Sequence, residues 1–85
     1  MKQNYPNPFN PSTSIEFSVP NEERVTITLY DILGKQVAVL VDEQKRGGSY
    51  KINLNTASLN LASGTYLYRM KAGGFTEVKK LLLLK

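Results

Sequence analysis

Apolar and polar residues alternate with a period of two along most of this chain, the spacing of strands that bury one face. Ile15, Phe17 and Val19 stand against Glu16 and Ser18, and Val25, Ile27 and Leu29 against Thr26 and Thr28. Pro20 has no ladder donor and closes the first strand, and Asn21-Glu22-Glu23 makes the polar turn into the second. Asp31-Ile32-Leu33-Gly34 follows. Asp suits the first turn position and Gly the left-handed one, which predicts a hairpin built on a type I turn plus a bulge. A third strand is expected over 36–41, with Val37, Val39 and Val41 on one face, and 42–48 reads as a charged loop ending in Gly47-Gly48.

The second half keeps the same rhythm with one interruption. Tyr50, Ile52 and Leu54 alternate with Lys51 and Asn53 in a fourth strand. Residues 55–63 lose the alternation, and Leu59 and Leu61 are expected to tuck beneath a turn or short helical bend. A fifth strand over 65–70 puts Tyr66, Tyr68 and Met70 on one face. Gly73-Gly74 then signals a primed two-residue hairpin with positive φ at both positions. The last strand, 75–84, sets Val78, Leu82 and Leu84 beside Lys80 on one face, and Leu81 and Leu83 beside Glu77 and Lys79 on the other. Four consecutive leucines predict a strand end covered from both sides. Six to seven short strands at this spacing predict an all-β fold, a small antiparallel immunoglobulin-like β-sandwich with its sheets ~10 Å apart. Pro6, Pro8 and Pro11 mark residues 1–12 as an extended, proline-rich lead-in and leave 13–85 as the sandwich domain.

Composition narrows what such a domain can do. Eighty-five residues make one domain, which buries only roughly 60–65% of its unfolded surface. With no cysteine there is no disulfide, so sheet packing alone must hold the fold. With no histidine the commonest general base and metal ligand are both missing. Neither a Gly-x-Ser-x-Gly elbow nor a Ser-x-x-Lys pair occurs. A hydrolytic carboxylate pair would need a cleft that a sandwich of this size has little room for. No catalytic, cofactor-binding or metal-binding residue is therefore assigned. Glu22-Glu23 and Asp42-Glu43 are the one hint of calcium, but the Asp-x-Asp-x-Asp pattern is missing and acidic pairs in turns are ordinarily just solvated. Gly47-Gly48 and Gly73-Gly74 precede no helix and read as turn glycines, not phosphate cradles.

The net charge of +4 raises nucleic acid or an anionic membrane as partners. The cations, however, alternate with apolar residues or sit in turns, the pattern of a solvated sheet face. No run reaches the ~18 apolar residues of a membrane helix. Tyr30, Tyr50, Tyr66 and Tyr68 are numerous enough for an aromatic platform. For Tyr66 the structural reading is stronger: Gly64 permits a sharp turn into the strand, and the phenol ties that corner to backbone. Tyr5, beside the prolines, is expected to be exposed.

Four segments stand in a telling order: Tyr5-Pro6-Asn7-Pro8 extended by Phe9-Asn10-Pro11, Tyr30-Asp31-Ile32-Leu33-Gly34-Lys35, Gly64-Thr65-Tyr66, and Lys79-Lys80-Leu81-Leu82-Leu83-Leu84-Lys85. In that order they resemble the C-terminal sorting domain of the type IX secretion system of Bacteroidetes-type bacteria, over nearly the whole chain. The resemblance implies a non-catalytic signal on an N-terminally fused cargo, read by the outer-membrane translocon after the cargo has folded. It implies passage through the periplasm and delivery to the cell surface or medium, where a sorting peptidase removes the domain and joins the cargo to lipopolysaccharide. It implies no cofactor, no nucleic acid and no small-molecule substrate. Its motifs carry recognition onto Pro6, Asn7, Pro8, Gly64, Tyr66, Lys79, Lys80 and Lys85.

Those residues come from opposite ends of the sequence, so the lead-in and last strand have to meet for one receptor to see both. An exposed edge strand would let a partner strand add there, with the lysines giving sign and register or simply blocking aggregation. Two other readings share the sandwich. An adhesion or carbohydrate-binding module would need a surface aromatic cluster, and there is no tryptophan. A structural module of the flagellar hook-cap type has a similar Asn-Pro lead-in and Gly-x-Tyr strand but is followed by more chain, whereas on the sorting reading Lys85 is the expected terminus.

Overall fold

A computed structural model describes residues 1–7 and 11–84. Its strands are β1 (Ser12–Val19), β2 (Glu23–Asp31), β3 (Gln36–Lys45), β4 (Gly48–Asn55), β5 (Gly64–Ala72) and β6 (Phe75–Leu83), with one 3-10 turn, Thr56–Leu59, between β4 and β5. β1 and β4 form a two-stranded sheet, and the others a four-stranded sheet in the order β3-β2-β5-β6. Every pairing is antiparallel. This is the immunoglobulin-like sandwich that the spacing predicts, with six strands.

The core lies where the inward parities of the two sheets meet. Ile15, Phe17 and Val19 of β1 and Leu54 of β4 bury against Val25, Ile27 and Leu29 of β2, Met70 and Ala72 of β5, and Leu81 and Leu83 of β6. Burial of each large side chain stabilises the fold by roughly 1.5–3 kcal/mol. The Phe17 and Tyr50 rings stack with centroids 5.4 Å apart, and the Tyr50 hydroxyl donates to Arg46 O at the sheet switch.

The 31–35 hairpin forms as its residues dictate. Asp31 N donates to Lys35 O at 2.9 Å and Gly34 N to Asp31 O at 3.0 Å. Asp31 Oδ1 accepts from both Leu33 N and Lys35 N at 2.9 Å. Gly34 stands at φ +87°, where a side chain would meet its own backbone. The interruption after β4 is the expected helical bend: Asn55 caps it by accepting from Ala57 N, and Leu59 and Leu61 pack on the core.

Four expectations change. At 73–74 only Gly73 has a positive φ, +58°, so the hairpin follows the type II′ pattern in needing it at the first position alone. The expected charged loop is mostly strand, because β3 runs on to Lys45. β3 is a sheet edge, so Asp42 can reach Arg24 at 2.7 Å in solvent while its backbone pairs with Thr26. Register shifts opposite Ile27/Thr28 and Leu29/Tyr30 also break β3's alternation. Val41 is buried, Val37 half-buried and Val39 51% exposed, so the three valines do not share a face. The final leucines are covered from one side only. Leu81 and Leu83 are buried, whereas Leu82 and Leu84 are exposed, because β6 is an outer strand with a core on one face.

Two neighbouring substitutions test that last point. Leu83→Ala should cost about 2–5 kcal/mol, the range for emptying a buried leucine site. Leu82→Ala should cost about 0.5 kcal/mol or less, as on a surface. Urea denaturation of both variants measures the difference, and equal costs would contradict the one-sided burial.

Candidate recognition site

The two ends of the chain meet along one rim of the sandwich. Residues 1–7 run antiparallel to β1: Lys2 N donates to Glu16 O, and Tyr5 and Ser14 exchange both backbone bonds, each at 2.9 Å. The other side of the same segment faces β6. Gln3 Nε2 donates to Lys80 O at 2.6 Å, and Leu82 N donates to Asn7 Oδ1 at 2.9 Å. Met1 lies against Glu77, so the segment ascends in the same direction as β6. It bridges the small sheet to the large one.

What holds it there is a phenol in the core. Tyr68 of β5 is fully buried, and a buried hydroxyl needs partners. It accepts from Asn4 N at 2.8 Å and donates to Lys2 O at 3.2 Å. Asn4 is itself 2% exposed. Its Nδ2 donates to Thr13 Oγ1 at 3.0 Å and Pro6 O at 3.1 Å, and the Thr13 hydroxyl donates to Pro6 O at 2.8 Å. The Tyr5–Pro6 peptide is cis. Burial pushes the Tyr68 hydroxyl above its ordinary pKa; the Asn4 bond opposes this and the Glu77 charge adds to it. The Glu77 carboxyl is held below the ordinary carboxylate value, first by hydrogen bonding to the Met1 amino group 2.8 Å away, against a smaller opposing effect of burial. Lys79, 3.7 Å off, adds to that lowering.

The residues carried over from the family motifs divide into two groups. Pro6 and Asn7 are exposed on the rim beside β6. Lys80 is exposed on the outer face, whereas Lys79, its neighbour, points inward and is half-buried near Glu77. Gly64 and Tyr66 lie one strand further in, paired with Leu83 and Leu81. Gly64 has φ +148° and nothing within 4 Å of where a Cβ would lie, so its backbone conformation alone favours glycine. Tyr66 is 8% exposed and donates to Ala62 O at 2.7 Å, the expected strand-corner bond. Pro8 and Lys85 lie outside the described residues.

The edge expected to be open is partly capped. Gln3 and Asn7 already occupy Lys80 O and Leu82 N, so an added strand would compete with side chains for those groups. Sequence reading passed over Gln3, Asn4 and Thr13, and it set Tyr68 on a strand face and among platform candidates without seeing it as the anchor of the lead-in. A signal existed for two of them. Thr13 is a polar residue at the inward parity of Ile15 and Phe17, and Tyr68 puts a hydroxyl in the middle of a core-facing strand.

Tyr68→Phe should leave the Asn4 N–H and Lys2 C=O without their partner and cost about 1–3 kcal/mol. It should also change the response to alkali. The folded-state pKa of Tyr68 lies above the unfolded one, so its contribution is fully present below the ordinary tyrosine range. It is lost as the pH rises toward the folded-state value. Urea melts at neutral and alkaline pH should show a shallower alkaline loss in Tyr68→Phe than in the parent chain, and identical slopes would sink this assignment.

A family model described as a secretion system C-terminal sorting domain matches residues 3–84. A search of the curated proteins finds no match. Among solved structures, this chain is similar to part of PorZ, described as an essential bacterial surface component of the type-IX secretion system of human oral-microbiomic Porphyromonas gingivalis. The two superpose with a TM-score of 0.69 at 17% identity, over 98% of this chain and 11% of that one. That likeness is one of fold, and this chain corresponds to a small part of that protein's length. With the family model spanning the sandwich and its docked lead-in alike, the chain belongs to the secretion system C-terminal sorting domains, the type IX signals for export to the cell surface or medium.

Proposed function

We propose that the paired chain ends, residues 1–7 laid along β6, form the surface that the outer-membrane translocon reads on a cargo folded in the periplasm. The observation that carries this reading is the reach of Gln3 to Lys80 O and of Asn7 to Leu82 N, across sequence separations of 77 and 75 residues. Only the folded chain brings these motifs together. An unfolded or truncated copy offers neither.

On this reading residues 1–12 are the lead-in that joins the signal to its cargo, and 13–85 the domain that is sorted. Pro6, Asn7, Pro8, Lys79, Lys80 and Lys85 belong to the contact, whereas Gly64 and Tyr66 fix the strand start behind it. The domain does no chemistry of its own, in keeping with a chain that has neither histidine nor cysteine. It uses no cofactor, nucleic acid or small-molecule substrate. Removal at the surface falls to the system's sorting peptidase.

Residues 1–85 fused behind a periplasmic reporter, in a bacterium with a compatible type IX system, should carry the reporter to the surface or medium. Retention of the intact, folded fusion in the periplasm would refute the sorting reading for this chain. A companion variant separates signal from stability. Changing Lys80 and Lys85 together to Gln, with the half-buried Lys79 and its pair to Glu77 left in place, should stay near the surface range of about 0.5 kcal/mol per site while export falls sharply. Normal export by that variant would reduce these two lysines to edge protection.

A further inference from the structure

The two outer faces of the sandwich differ in kind. β1 and β4 turn Ser14, Glu16, Ser18, Lys51 and Asn53 outward, polar residues all, with the exposed Tyr5 of the lead-in beside Ser14 at one end. The four-stranded sheet is mixed. One cross-strand row of its outer face reads Tyr30–Leu67–Lys80, and the next Thr28–Arg69–Val78. Leu82 stands opposite Thr65 at the end of the same face. Val78 is 50% and Leu82 37% exposed. A shallow cleft of about 220 Å³ opens between Tyr30, Gly34, Leu67, Arg69 and Val78. Toward the other end of the face the residues turn polar, with Thr26, Lys71 and Thr76.

Scattered apolar residues on a surface are ordinary. These are gathered across three adjacent strands, at the end nearer the 31–35 hairpin. Charge is sorted as well. Arg69, Lys71 and Lys80 point outward, whereas the carboxylate on this face, Asp42 of β3 opposite Thr26, lies away from the hairpin end and is paired with Arg24. Arg69 is held in place: it donates to the Tyr30 hydroxyl at 2.6 Å and lies over that ring, 5.0 Å from its centre. A fixed guanidinium beside a cleft is organised in advance for a carboxylate.

We propose that this end of the large sheet's outer face docks a protein partner whose surface combines apolar side chains with carboxylates. The inference rests on the sorting reading and gives the secretion machinery a second contact, on a sheet face, besides the rim. A second copy of the chain is disfavoured, because a self-complementary contact would set Arg69, Lys71 and Lys80 against themselves. An anionic bilayer fits less well too. The apolar side chains lie among the cations of a pleated face, which carries no tryptophan to enter the headgroup layer.

The test combines Val78→Ser, Arg69→Gln and Leu82→Ser in the reporter fusion and leaves Lys80, which the rim reading also uses, in place. Its control is Ser18→Asp with Lys51→Gln on the small sheet's outer face. Melts of both should stay close to that of the parent chain. Export by the triple variant should fall about tenfold or more, with the control unchanged. Normal export by a folded triple variant, or an equal fall in the control, would overturn the docking face and leave the sorting reading standing. Failure of the parent fusion to leave the periplasm would overturn both. The purified domain should also sediment as a monomer and ignore vesicles of phosphatidylcholine and phosphatidylglycerol. Dimerisation or vesicle binding abolished by the triple variant would assign the face to a second copy or to lipid instead.

Discussion

A single buried hydroxyl organises this domain. Tyr68 occupies a core position on a central strand, where a phenylalanine would fill nearly the same space. The difference is one oxygen that cannot be left unpaired in an apolar interior without a cost of about 1–3 kcal/mol. The core-facing side chains of the two sheets around it are mostly apolar. Asn4 N and Lys2 O supply what is missing, and to do so the chain has to lie across the rim. The docking of Gln3 and Asn7 on β6 follows from that placement.

The rim also settles how β6 exists as an outer strand without inviting aggregation. Glu77 and Lys79 point inward at one end, an arrangement known to discourage edge pairing, and side chains of the lead-in cap the backbone at Lys80 and Leu82. A side-chain cap is weaker and more local than a paired strand. It protects the edge while leaving most of its length without a neighbouring strand among the described residues.

The strands themselves were legible because burial on one face writes a period of two into the residues, as in Ile15-Glu16-Phe17-Ser18-Val19. The hairpin at Gly34 was legible because Asp31 and Gly34 each have a stereochemical reason for their place. Which sheet a strand joins is not written that way, since β1 and β2 have the same alternation yet lie in different sheets. The bulges in β3 shift its parity without leaving a glycine or proline to announce them. The four leucines looked symmetric because leucine is apolar on either face; only the position of β6 in the sheet decides which two are covered. The family motifs pointed to Pro6, Asn7 and Lys80, but the anchor beneath them was hidden. Tyr68 and Asn4 are far apart in sequence, and the bond between them is a property of the closed fold.

The direction in which residues 1–7 run has a mechanical consequence. Met1 lies by Glu77 and Asn7 by Leu82, a separation along β6 of about 17 Å. A polypeptide joined ahead of Met1 would therefore leave from the end of the sandwich away from Leu82 and the 31–35 hairpin. Its point of departure would be fixed by the rim contacts of Gln3 and Asn7 and not by the extension's own sequence. Whatever its bulk, such an extension would meet the sandwich at one fixed doorway.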